Sequence, residues 1–128
     1  MIEDRCSEHA RSCALIAARA VDDKQGKHTI ILDVSTTLVV TDAFVITSGA
    51  NTRQVRTIAD EIESRLKDEM GVAPVRSQGL SDATWVLVDY GDLVVHIFLD
   101  ETRDYYDLER LWADVPRIDR GETTAAVS

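Results

Sequence analysis

Between Thr84 and Leu99 the chain reads TWVLVDYGDLVVHIFL, two strongly apolar runs that meet at Tyr90-Gly91. Short runs rich in β-branched and aromatic residues, broken by a turn-forming glycine, predict a β-hairpin. Apolar residues fall on both faces of both runs, which predicts strands in the middle of a sheet rather than at its rim. A two-residue turn at Tyr90-Gly91 would place Asp89 opposite Asp92, Leu87 opposite Val94 and Trp85 opposite His96. All six would then share one face, because side chains alternate along a strand.

The remaining elements follow from periodicity. Ala10, Cys13, Ala14, Ala17, Ala18 and Val21 recur at helical spacing, giving an amphipathic helix whose buried face is built of small residues and suits close approach. Thr29 to Val34 and Ala43 to Thr47 are β-rich, with a loop from Ser35 to Asp42 between them. Asn51 is a good N-cap, Gln54 follows three residues later, and Val55, Ile58, Ala59, Ile62, Leu66 and Met70 form a stripe that ends at Gly71. A long helix is expected there. Pro74 confines the segment from Val72 to Ser77 to an edge or an irregular strand. A last helix is expected from Asp100 to about Pro116, burying Tyr105, Leu108, Leu111 and Trp112. The predicted order, α-β-β-α-β-β-β-α, implies an α+β domain: a mixed sheet of about five strands with helices packed on it. Residues 1–116 are read as one domain and 117–128, polar and small, as a disordered tail.

Composition sets limits on function. Lys and Arg number 14 against 23 Asp and Glu, a net charge of −9, and no basic cluster interrupts the balance. Direct nucleic-acid binding is disfavoured, since neutralising phosphates needs a basic surface. An acidic domain suits a basic protein partner, although the same charge also serves solubility. No apolar run approaches the length that spans a bilayer, and the first residues lack the pattern of a signal peptide, so a cytoplasmic location is expected. Cys6 and Cys13 would lie about 10 Å apart on a helix, too far for a disulfide, and read as small buried thiols of a reducing compartment.

Polar groups able to do chemistry concentrate on the hairpin. Asp89, Asp92 and His96 are two acids beside an imidazole, a set that can hold a metal or move protons. Three or four converging ligands are normally required, however, and the same residues are better explained as solvated turn acids and a strand histidine packed on Trp85. The turn Ser48-Gly49-Ala50-Asn51 lacks the lysine and glycine density of a phosphate loop. Asp33 and Asp92 lack a second acid at the alternate strand position, so a nucleotidyl-transfer metal pair is not assembled. Neither cysteine neighbours a histidine in a way that suggests a nucleophile. The reading is a binding protein without cofactor or metal. Trp85 is either core packing or the anchor of an interface.

These residues resemble the Iojap or ribosomal silencing factor family. The resemblance is carried by Asp33-Val, by Thr41-Asp-Ala-Phe-Val-Ile with Ser48-Gly, by Arg53-Gln-Val-Arg with Ile58-Ala-Asp-Glu-Ile, by the long string from Trp85 to Phe98, and by Tyr106-Asp-Leu-Glu-Arg-Leu-Trp. It implies a fold similar to nucleotidyltransferases, used without their chemistry. It also implies binding to the large ribosomal subunit through its fourteenth protein, steric blocking of small-subunit joining, repression of translation in starvation or stationary phase, and a homodimer. Large-subunit assembly is the alternative role, and a metal-dependent nucleotide-processing enzyme is a more distant one. Carried onto this chain, the interface residues would be Trp85, Leu87, Asp89, Tyr90, Gly91, Asp92 and His96. The loop Ser35 to Val40 is more apolar than the family pattern and could alter dimer contacts.

Overall fold

The computed structural model describes residues 7–120. Its first helix, α1 (Glu8–Asp23), starts where the Ser7 hydroxyl accepts the Ala10 N–H at 3.0 Å. The small-residue face, Ala10, Cys13, Ala14, Ala17, Ala18 and Val21, is buried. The second helix, α2 (Thr52–Met70), is capped as the sequence predicts: Asn51 Oδ1 accepts the Gln54 N–H at 2.8 Å, and Gly71 closes the other end at φ +68. The Gln54 side chain reaches one residue further back than in a standard capping box, accepting the Ala50 N–H at 2.7 Å.

Five strands form one sheet in the order β1-β2-β5-β4-β3, comprising β1 (Lys27–Asp33), β2 (Ala43–Gly49), β3 (Arg76–Gln78), β4 (Trp85–Asp89) and β5 (Leu93–Leu99). β2 and β5 are parallel and the other pairs antiparallel, so the sheet is mixed. The hairpin strands lie inside the sheet and β3 is a three-residue edge strand, both as expected.

The two faces differ. On one, α1 and α2 pack over Ile31, Val45, Val86, Val88, Val95 and Ile97, which makes the main core. The other carries a smaller cluster of Leu32, Val34, Phe44, Ile46 and Phe98. It is covered only in part, by Trp85 and by Leu108, Trp112 and Val115 near the C-terminal end.

The structure departs from the sequence reading in three places. First, the hairpin turn is Gly91-Asp92, not Tyr90-Gly91. Asp89 Oδ1 accepts the Gly91 N–H at 2.8 Å, Gly91 sits at φ +93, and the Tyr90 N–H pairs with the Leu93 carbonyl at 2.8 Å. Trp85 is therefore opposite Phe98, Leu87 opposite His96, and Asp89 opposite Val94. The register moves by two residues, an even step, so Trp85, Leu87, Asp89, Val94 and His96 keep the face expected of them.

Second, the last helix is broken. α3 (Asp100–Tyr106) and the one-turn α4 (Leu108–Leu111) meet at Asp107, which adopts a left-handed φ of +48. Asp tolerates that conformation better than most residues. The break takes Tyr105 and Leu111 out of the expected buried stripe, and both are exposed, while Leu108 and Trp112 pack as expected. Asp100 is the first helical residue rather than the cap.

Third, residues 117–120 do not behave as a tail. The Ile118 N–H donates to the Ile31 carbonyl at 2.9 Å, its side chain is buried, and Arg120 pairs with Asp22. The apolar Ile118 gains a place in the main core by lying along the outer edge of β1. Residues 121–128 lie outside the described residues, as does Cys6.

Candidate functional site

The incompletely covered face of β4 and β5, with the turn glycine Gly91 at its edge, gathers five of the seven hairpin residues singled out above. Trp85 is half-buried: its indole N–H donates to His96 Nδ1 at 3.2 Å, and its ring lies 4.8 Å from Phe98 and 4.9 Å from Tyr106. It is thus fixed in orientation by the cluster beneath while one side stays accessible. Gly79, at φ +86, lets the preceding chain pass so close that an added Cβ would stand 2.1 Å from the Trp85 carbonyl oxygen. His96 is only 6% exposed and edges onto Phe44 with ring centroids 4.8 Å apart.

Burial pushes the His96 pKa from its ordinary 6.5 down to about 4, so the ring is neutral at physiological pH. Since Nδ1 accepts from Trp85, the ring proton belongs on Nε2, which meets no hydrogen-bond partner among the described residues. A folded pKa below the unfolded one means that His96 contributes stability in full above pH 6.5, lost as the pH falls through about 4. The expected loss is roughly 3 kcal/mol. Urea unfolding at pH 7 and pH 4 should show that His96→Phe abolishes this part of the acid sensitivity; an unaltered pH dependence would rule the assignment out.

Leu87, Asp89, Gly91 and His96 line a groove of about 610 Å³ together with Leu38, Val40, Thr41, Phe44 and Val94. At its rim Asp89 pairs with Arg76 at 3.3 Å. Beyond Trp85, at the opposite end of the sheet face, Tyr106 and Tyr105 stand edge to face at 5.0 Å, with exposures of 52% and 81%. Sequence reasoning placed Tyr105 in the core and gave Tyr106 no role outside the family match.

Tyr90 and Asp92 are not part of this face. The Tyr90 ring packs on the main core with its hydroxyl buried, and burial, followed by the nearby Glu63 carboxylate, raises its pKa. Asp92 sits in the turn, where its carboxylate lies 3.2 Å from His9 Nδ1 on α1. The two acids and the imidazole considered above as a metal or acid/base set therefore do not converge, and the described residues contain no group of three or more His, Cys, Asp or Glu able to hold a metal.

Cys13 does neighbour a histidine, one helical turn away: its Sγ lies 3.9 Å from His9 Nε2, and His9 in turn meets Asp92. The order of contacts resembles that of a thiol protease, but the electrostatics are wrong for it. Burial, reinforced by Asp92, raises the Cys13 pKa, so the thiol stays protonated and unreactive.

A polar cleft at the end of β1 holds a residue that sequence reasoning missed. Arg103 of α3 is buried and donates to Glu109, to the carbonyls of Lys27 and His28, and to Ser48 Oγ. Burial is the largest single influence on the Glu109 pKa and raises it, but the hydrogen bond from Arg103, a backbone hydrogen bond and the charges of Arg103 and Arg117 together hold the carboxyl below its usual value. All of Arg103's bonds are internal, and the site fastens the C-terminal helices to the sheet.

Comparison with known proteins decides what this architecture is for. The family model described as "Ribosomal silencing factor during starvation" matches residues 7–128. This chain belongs to the ribosomal silencing factor family. Its members are non-enzymatic ribosome-binding factors that repress translation, and membership implies binding to the large ribosomal subunit. The chain is 43% identical over 109 residues to Ribosomal silencing factor RsfS of Bacillus subtilis, covering 85% of this chain and 92% of that one. Among solved structures it is similar to protein CV0518 from Chromobacterium violaceum, with a TM-score of 0.77 at 38% identity, covering 81% and 86% of the two chains. A crystal structure from Bacillus halodurans gives a TM-score of 0.73 at 36% identity, covering 85% and 98%. Family membership fits the electrostatics found here: a protonated thiol, a neutral histidine and acids that do not converge. No described helix is long and apolar enough to cross a membrane.

Proposed function

We propose that the face of β4 and β5 bearing Trp85, Leu87, Asp89 and His96, extended by Tyr105 and Tyr106, docks on the fourteenth protein of the large subunit in the cytoplasm. The body of the domain then occupies space that the small subunit needs, so joining fails and translation falls when nutrients are short. Tyr90, Gly91 and Asp92 support this surface by building the turn, with Asp92 tied to His9 on one side and Tyr90 seated in the core beneath. A homodimer in the absence of ribosomes belongs to the same reading.

The observation that carries it is the chain of aromatic contacts from Trp85 through Tyr106 to Tyr105, half in and half out of the fold. Tyr and Trp present large, stiff contact area at little entropic cost, which is why they dominate interface energetics. Acids flank the cluster at Glu101 and Asp104, and the net charge of −9 suits a basic ribosomal protein and repels bare phosphate. No covalent step is needed.

The test is sedimentation of ribosomes with added protein. The chain is expected to travel with free large subunits and to deplete joined ribosomes in proportion to its concentration. Co-sedimentation only with joined ribosomes or small subunits would refute the proposal.

A further inference from the structure

The groove beside Trp85 contains two polar side chains that the fold buries and does not satisfy. Among the described residues Thr41 Oγ1 and His96 Nε2 meet no hydrogen-bond partner, although the residues are only 5% and 6% exposed, and both line the groove. Leaving a buried donor unmet costs about 1–3 kcal/mol, so natural folds seldom keep one without a use. Two in the same groove are harder to dismiss than one. The His96 nitrogen is a donor and not an acceptor, because Trp85 already fixes the tautomer from the other side of the ring. Around these groups the walls are apolar: Leu38, Val40, Phe44, Leu87 and Val94. Val39 and Val40 stand exposed at the lip, an unusual place for two consecutive β-branched apolar residues.

We infer that the groove receives an extended protein segment that seats one aliphatic side chain among these apolar residues and presents a main-chain carbonyl to the His96 N–H and the Thr41 hydroxyl. This rests on the large-subunit reading above and specifies the chemistry of the partner within it. Both residues line the groove, so an incoming carbonyl approaches them from the groove side. Charge selects protein over nucleic acid as the occupant. At the rim the Asp89 carboxylate is paired with the exposed Arg76, so the rim is balanced in charge; it is the domain's net charge of −9 that disfavours a phosphate backbone, whereas a main-chain carbonyl meets the donors without bringing a negative charge.

The design has a consequence that a purely structural role would not share. Removing the unmet groups should not weaken the free protein, because the folded state no longer buries them unpaired, yet it should weaken the complex. Thr41→Val is expected to lower affinity for purified large subunits about tenfold at pH 7, with a urea midpoint equal to or above that of the parent chain; His96→Phe should lower affinity similarly, but it also removes the acceptor of the Trp85 N–H, so its urea midpoint should fall. Val40→Asp, at an exposed position, should lower affinity similarly without touching the fold. Thr41→Val carries the test alone should His96→Phe disturb Trp85.

Unchanged affinity in Thr41→Val and Val40→Asp, while the parent chain still co-sediments with large subunits, would overturn the groove and leave the silencing reading intact. A shift in self-association with no change in subunit binding would assign the groove to a second copy, and equal losses on protein-free ribosomal RNA would assign it to nucleic acid; either overturns the inference. Failure of the parent chain to bind large subunits would remove both readings together.

Discussion

Trp85→Ala is expected to weaken association with large subunits by at least about 2 kcal/mol, roughly thirtyfold in Kd. The indole has the position of a hot-spot residue. It is gripped from below by Phe98, tied to His96 through its N–H, and continued outward by Tyr106. Its orientation is therefore set before any partner arrives, and little freedom is lost on binding. The same contacts mean that truncation also costs folding stability, since the second apolar cluster loses a wall. Binding and stability separate through Trp85→Phe, which keeps a ring over Phe98 and Tyr106 but drops the N–H. The phenylalanine variant should keep most of the stability and regain part of the affinity. Equal large-subunit binding by the parent and Trp85→Ala, measured where both are folded, would remove Trp85 from the interface.

Arg103→Met should cost about 3 kcal/mol of folding stability, the largest single loss expected outside the apolar core. The guanidinium holds the start of β1 through the Lys27 and His28 carbonyls, the end of β2 through Ser48, and the C-terminal helices through Glu109. Methionine fills the volume and leaves these acceptors without a donor. The Glu109 side chain keeps some access to solvent, which places the figure at the low end of the range for broken buried pairs. A second change, Glu109→Gln, removes the stranded charge and should recover part of the loss, so the two effects will not add. Urea unfolding of the single and double variants measures this directly. A loss below about 1 kcal/mol in the single variant would show that the cleft is solvated rather than structural.

How much of this was readable from the residues depended on how local each signal was. The helix from Thr52 to Met70 could be drawn almost to the residue, because Asn51 and Gly71 encode its ends within their own neighbourhood. The hairpin was legible as a hairpin and its exposed face was correct, but the turn was displaced, because Gly91 can serve as either residue of a two-residue loop and the competing hydrogen bond from Gly91 to Asp89 is invisible in composition. The last helix was misread because its apolar spacing is consistent with one continuous helix, and nothing nearby announces that Asp107 will turn left-handed. Arg103 could not be found at all: its partners Ser48 and His28 are 55 and 75 residues away. The groove lay between these extremes. His96 was singled out, while Thr41 was only one letter of a family motif until the sheet brought both to the same hollow.

The parallel pairing of β2 with β5 has a consequence for how the molecule is made. A nascent chain that has emerged only as far as α2 carries β2 with one side hydrogen-bonded to β1 and the other bare, and its true neighbour has not yet been translated. The sheet closes from the inside only once β5 (Leu93–Leu99) has been made, more than forty residues after β2, so folding is non-local. Until then the unfinished polypeptide offers a sticky apolar ribbon to any other strand nearby. Stop codons placed before Leu93 should accordingly yield aggregates in place of shortened soluble domains.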